Sequence, residues 1–132
     1  MLVNITGNFD GHILGDDIVM TCEWGNNPAF KTVTWKRSTR QEISSTVWIF
    51  EGNGTHVHQQ TTQFVDKFTA VESDHYTARH LLVLKGITEE DEGEYWCELD
   101  ILTEHVTSDR RMLTIQEGGW ISCKIFTRHM LR

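Results

Sequence analysis

The chain has 132 residues, 23 % of them charged, and a formal net charge of −7. That length holds one hydrophobic core but not two. An acidic balance with no basic stripe excludes nucleic acid and anionic membrane as the main partner, and the absence of any run near eighteen apolar residues excludes a membrane-inserting segment within the sequence.

Leu2, Val3 and Ile5 open a first short apolar strand, and the Gly-rich stretch from Gly7 to Gly15 suits a strand that bends or crosses between sheets. From Asp17 to Trp24 the residues Ile18, Met20, Cys22 and Trp24 alternate with polar or smaller neighbours, a period-2 strand with one buried face. Gly25-Asn26-Asn27-Pro28 is a dense turn signal, with Phe30 placed under the loop that follows. Residues 32–37 alternate again, with Val33 and Trp35 inward and Thr34 and Lys36 outward. After a polar connection from Ser38 to Ser45, Val47-Trp48-Ile49-Phe50 reads as a strand ending at the hairpin signal Gly52-Asn53-Gly54, with room for another near residues 56–63. Leu82, Leu84 and Ile87 take inward positions, and a strand follows from about Glu94 to Asp100. Tyr95 and Cys97 share its inner face, and Tyr95 is spaced to turn its hydroxyl back onto the turn at Asp91 and Gly93. A loop is expected from Leu102 to Val106, then a strand over 111–116 with Leu113 and Ile115 inward and Met112 and Thr114 outward. From Gly118 to Arg132 the character changes to a mixed apolar and basic tail, a stalk or a vector-derived extension.

The order Cys22, Trp35, Cys97, together with Asp91-x-Gly93-x-Tyr95-x-Cys97, resembles the immunoglobulin superfamily and its V-set branch in particular. The resemblance covers residues 1–117. It implies an all-β antiparallel sandwich with Greek-key topology, a Cys22–Cys97 bridge packed on Trp35, and Tyr95 and Leu84 in the same core. A loop of about 75 residues closed by that bridge is worth roughly 4.5 kcal/mol in the chain-entropy model, and such a bond implies an oxidising compartment. The extra strands around Phe50 distinguish the V-set from constant-type domains. Lys67-Phe68 resembles the family's basic-aromatic pair, which implies an ion pair between Lys67 and Asp91. One departure is plain: where joined antigen receptors carry Phe-Gly-x-Gly, this chain has Thr107-Ser108-Asp109-Arg110, which removes the glycines that make the bulge there and disfavours an antibody or T-cell-receptor identity.

No nucleophile elbow, phosphate loop, zinc-protease pair or Cys-x-x-Cys appears, so the chain is read as non-catalytic and no cofactor is implied. The acidic run Glu89, Glu90, Asp91, Glu92, Glu94 reads as a solvated turn once Asp91 is assigned to Lys67, and His56 and His58 lack a third metal ligand at useful spacing. Two sequons, at Asn4 and Asn53, are candidate glycosylation sites and agree with an extracellular protein. With no apolar leader after Met1, the chain reads as an excised ectodomain, cell-surface or secreted. Cys123, the odd cysteine, is a candidate for an interchain bond.

Strict alternation would turn Lys36, Trp48, Phe50, Trp96, Glu98 and Met112 out of the sheet that the family builds from its G, F, C and C' strands. Aromatics and methionine facing water are the residue types of interface cores. The expected function is recognition by an immune-type or adhesion receptor, with a protein partner paired on that sheet as a homodimer or with another V domain. The alternative is a secreted lectin-like V domain binding polysaccharide such as chitin, as in some variable-region-containing proteins of invertebrate chordates, with Trp48 and Trp96 stacked on sugar rings.

Overall fold

The computed structural model describes residues 3–25, 30–51, 57–58, 66–71, 79–101 and 104–116. Within them the chain forms β1 (Val3–Gly7), β2 (Ile18–Trp24), β3 (Phe30–Thr39), β4 (Ser45–Glu51), β5 (Val57–His58), β6 (Phe68–Val71), β7 (Arg79–Leu84), β8 (Gly93–Ile101), β9 (Glu104–Thr107) and β10 (Arg111–Leu113). One sheet has the order β1-β2-β7-β6; the other runs β10-β8-β3-β4-β5, with β9 also paired to β8.

Period-2 patterning makes each sheet one-sided. In β2 the residues Ile18, Met20, Cys22 and Trp24 are buried, and those between them are exposed or half-buried. Val3, Ile5, Leu82 and Leu84 join them, and from the opposite layer Val33, Trp35, Tyr95, Leu99 and Leu113 close the core. Trp35 stands directly across from Cys97, whose sulfur is bonded to Cys22 of the other sheet across a Cα separation of 6.2 Å. The result is an antiparallel sandwich pinned at its centre by an inter-sheet disulfide.

The glycines after β1 do carry the chain between sheets. A Cβ at Gly7 would come 2.8 Å from the Val19 carbonyl oxygen, so only glycine lets the strand pass there. Beyond it the Thr114 N–H donates to the Phe9 carbonyl at 3.1 Å and the Gln116 N–H to the His12 carbonyl at 2.6 Å. His12 and Ile115 form a parallel bridge on the six-stranded side.

Two expectations are corrected. Across β3 and β4 the pairing runs Trp35 to Trp48 and then Lys36 to Thr46, leaving Val47 as an extra residue at a bulge. The bulge shifts the phase by one. Trp48 and Phe50 therefore lie across from the buried residues Trp35 and Val33, Ile49 lies across from Thr34, and Val47 is buried as well. Phe50 sits in the core, 6 % exposed, with its ring stacked on His80 at 4.6 Å, and Trp48 packs half-buried against the same cluster. Second, residues 104–107 are not loop but β9, paired with β8.

Under the turn before β8 lies a group of charges. Asp91 closes a 3-10 turn, Glu89–Asp91, and accepts from Arg37 Nη1 at 2.8 Å, Lys67 Nζ at 2.9 Å and the Thr88 N–H at 2.8 Å. The Tyr95 hydroxyl donates to the Asp91 carbonyl at 2.6 Å and accepts from Arg37 at 3.0 Å. Burial would raise the Asp91 carboxyl, but the Thr88 amide and the two cations outweigh it and hold it below the usual carboxylate range. Gly93 follows, paired to Thr39 on one side and Leu113 on the other, where a Cβ would overlap the Ser38 carbonyl.

Candidate functional site: the outer face of the six-stranded sheet

Alternation along β8 sends Glu94, Trp96, Glu98 and Asp100 to the outer face. Their cross-strand neighbours on β3 are Ser38, Lys36, Thr34 and Thr32, and on β10 and β9 Met112, Thr107 and His105. Trp96 is the centre of this face. It is only 2 % exposed, yet it is not part of the core cluster between the sheets. Its cover is the guanidinium of Arg110, 3.8 Å from the ring centroid, a distance at which a cation is drawn to the π face. Arg110 is tied to Glu94 at 3.2 Å, and the indole N–H of Trp96 donates to Glu98 at 3.0 Å.

The network continues toward the loop end of the sheet. Glu98 meets His105 Nε2 at 3.3 Å, Asp100 meets His105 Nδ1 at 2.6 Å, and Thr32 donates to the other oxygen of Asp100 at 3.1 Å. With both ring nitrogens against carboxylates, led by the hydrogen bond to Asp100, the imidazolium is favoured and His105 titrates above its ordinary value. Lys36 and Glu98 are half-buried here, Met112 is 52 % exposed, and Ile49 adds a half-buried aliphatic.

Arg110 reaches Trp96 because the edge strand is broken between β9 and β10. Buried Ser108 holds the break: its N–H donates to the Cys97 carbonyl at 2.9 Å, its hydroxyl accepts from the Cys97 N–H at 3.0 Å and donates to the Asp109 carbonyl at 2.8 Å. Alternation alone does not find this arginine. The signal for it was the departure at Ser108-Asp109-Arg110, where joined receptors have glycines.

Of the six residues expected on this face, Lys36, Trp96, Glu98 and Met112 lie there, while Trp48 and Phe50 are turned inward by the bulge at Val47. Asn4 is exposed on β1. Asn53, His56, Cys123, the tail and the side chain of His58 lie outside the described residues. Among the described residues no group of three His, Cys, Asp or Glu side chains could hold a metal ion, and no helix is long and apolar enough to cross a membrane.

The family model of the immunoglobulin V-set domain matches residues 12–116. The chain belongs to the immunoglobulin V-set family. V-set domains are typically extracellular, are generally non-catalytic, and commonly act in recognition through protein–protein contacts. No curated protein matches the chain. In this V-set domain, the two-layer sandwich, the disulfide and the tyrosine hydroxyl bonded under the turn are the family's frame. Its outer face is polar and charge-linked, with a tryptophan roofed by an arginine.

Proposed function

We propose that this V-set domain is a non-catalytic extracellular recognition module of an immune-type or adhesion receptor, which pairs through the outer face of its six-stranded sheet with a second V-type domain. The observation that carries the reading is the Arg110–Trp96 stack, fixed by Glu94 and Glu98 on the outer sheet face. Arginine is among the side chains that most often dominate interface energetics, and here Arg110 is already held in one geometry on the Trp96 ring, so little ordering entropy is lost on contact. Met112 supplies an exposed apolar contact beside them, across from Glu94. The polysaccharide reading needed Trp48 and Trp96 as open stacking platforms; Trp48 packs on the core and Trp96 is covered.

The test is sedimentation of the full chain over a wide concentration range in the presence of reductant sufficient to keep Cys123 free, followed by binding to a panel of V-type ectodomains. Pairing that is abolished by Arg110→Glu and weakened by Met112→Asp, with the fold unchanged by circular dichroism, is the expected result. Pairing that both variants leave intact overturns the assignment to this face.

A further inference from the structure

The other outer face is of a different kind. On the four-stranded sheet the outward residues whose side chains are described fall into three cross-strand rows: Asn4, Glu23 and Arg79; Thr6, Thr21 and Leu81; Val19, Val83 and Thr69. Val19 is 47 % exposed and Leu81 and Val83 are half-buried, so three aliphatic side chains form a small patch, bordered by the threonines and by Glu23 and Arg79. The three described side chains of the patch fall well short of the roughly 800 Å² per partner that a stable protein interface buries.

The first row holds Asn4, and the sequon Asn4-Ile5-Thr6 lies wholly within β1. In a strand the first and third residues of that triplet share a face, and here Asn4 and Thr6 are both exposed on the same side as the patch, with Ile5 buried in the core. From the strand and row spacings, Asn4 stands about 12–14 Å from Leu81 and Val19, within reach of a glycan core several sugar rings long. β1 is the edge strand of its sheet, so a bulky group on Asn4 has a strand of the sheet on one side only.

We propose that Asn4 carries an N-linked glycan and that its core sugars lie over the Val19, Leu81 and Val83 patch, their C–H faces on the aliphatic side chains and their hydroxyls toward Thr6, Thr21 and Glu23. This rests on the extracellular reading above. It makes the two outer faces functionally unlike: one open to a protein partner, the other covered by the chain's own sugar.

The full chain carrying Asn53→Gln, secreted from animal cells behind an added signal peptide, leaves Asn4 as its sequon. Peptide mapping after enzymatic glycan release, which converts the occupied asparagine to aspartate, is expected to find Asn4 glycosylated and Cys22 bonded to Cys97. A secreted, disulfide-bonded protein with Asn4 bare overturns the inference and leaves the extracellular reading standing; a retained chain with both thiols free overturns both. Covering is read separately. Asn4→Gln is expected to lower the melting temperature of the glycosylated protein by about 2–4 °C. The shift should vanish when Val19 and Val83 are both threonine, and in protein made in bacteria without glycan. An equal shift in all three backgrounds means that the asparagine side chain matters and the sugar does not cover the patch.

Discussion

Two sets of polar side chains lie inside this sandwich, one under the turn before β8 and one beside the disulfide, and the contrast between them shows where the domain can tolerate change. Around Asp91 every charge has an opposite: Arg37 and Lys67 share the carboxylate, Glu42 takes the Arg37 Nε at 2.9 Å, and the Tyr95 hydroxyl is bonded on both sides. Burial alone would lower the Arg37 guanidinium's pKa, but Tyr95, Glu42 and Asp91 outweigh it and raise it. Beside the disulfide, His80 is wholly buried on β7, accepts the Trp35 indole N–H at 2.9 Å, and stacks on Phe50. Its Nε2 and the Nε1 of Trp48 have no hydrogen-bond partner among the described residues. A satisfied network fixes one arrangement, whereas a half-satisfied one leaves the fold exposed to a change of charge.

Removing the shared carboxylate should have the largest effect. Asp91→Ala takes a counter-ion from the buried Arg37 and the carboxylate from Lys67, and a loss of about 3–5 kcal/mol in urea unfolding is expected; a loss below 1 kcal/mol would show that the cluster does not hold the turn. The second test is acid. Burial pushes His80 down to about 4, while the unfolded chain takes up the same proton near 6.5. The unfolded state therefore binds more protons between those values, so this contribution is full above pH 6.5 and falls by up to about 3 kcal/mol as the pH drops to 4. His80→Leu orphans the Trp35 N–H and costs stability above pH 6.5, but it should flatten the slope between pH 6.5 and 4; an unchanged slope would assign the acid response elsewhere. The smallest effect belongs to the outer face. Arg110→Ala should cost no more than about 1 kcal/mol of stability while exposing Trp96, visible as a red shift of its fluorescence.

The parts of this molecule that follow strict alternation and turn chemistry were legible in the sequence. Ile18 to Trp24, and Tyr95 with Cys97, face inward as period 2 requires, and Gly7 to Gly15 carries the crossing between sheets. The strand at Phe50 was read with the wrong face because one extra residue at Val47 reverses the phase of everything after it, and nothing in Thr-Val-Trp-Ile-Phe marks which residue is extra. Arg37 lies inward, opposite to Lys36, and charge alone gives no reason to expect an arginine in a core until Asp91, Glu42 and Tyr95 are brought around it. Arg110 escaped for the converse reason: its position over Trp96 depends on a break in the edge strand that Ser108 maintains through tertiary hydrogen bonds.

The parallel pairing of residues 9–12 with 114–116 has a mechanical consequence. The first segment is entered from the amino-terminal side and the second is left toward the carboxyl-terminal side, so tension along the chain draws the two strands past each other. The bonds from Thr114 to Phe9 and from Gln116 to His12 lie across that direction and are loaded together, in shear, rather than opened one at a time. A domain tethered at its ends resists pulling through this short clasp, and its lifetime under force is set by the rate at which the clasp gives way.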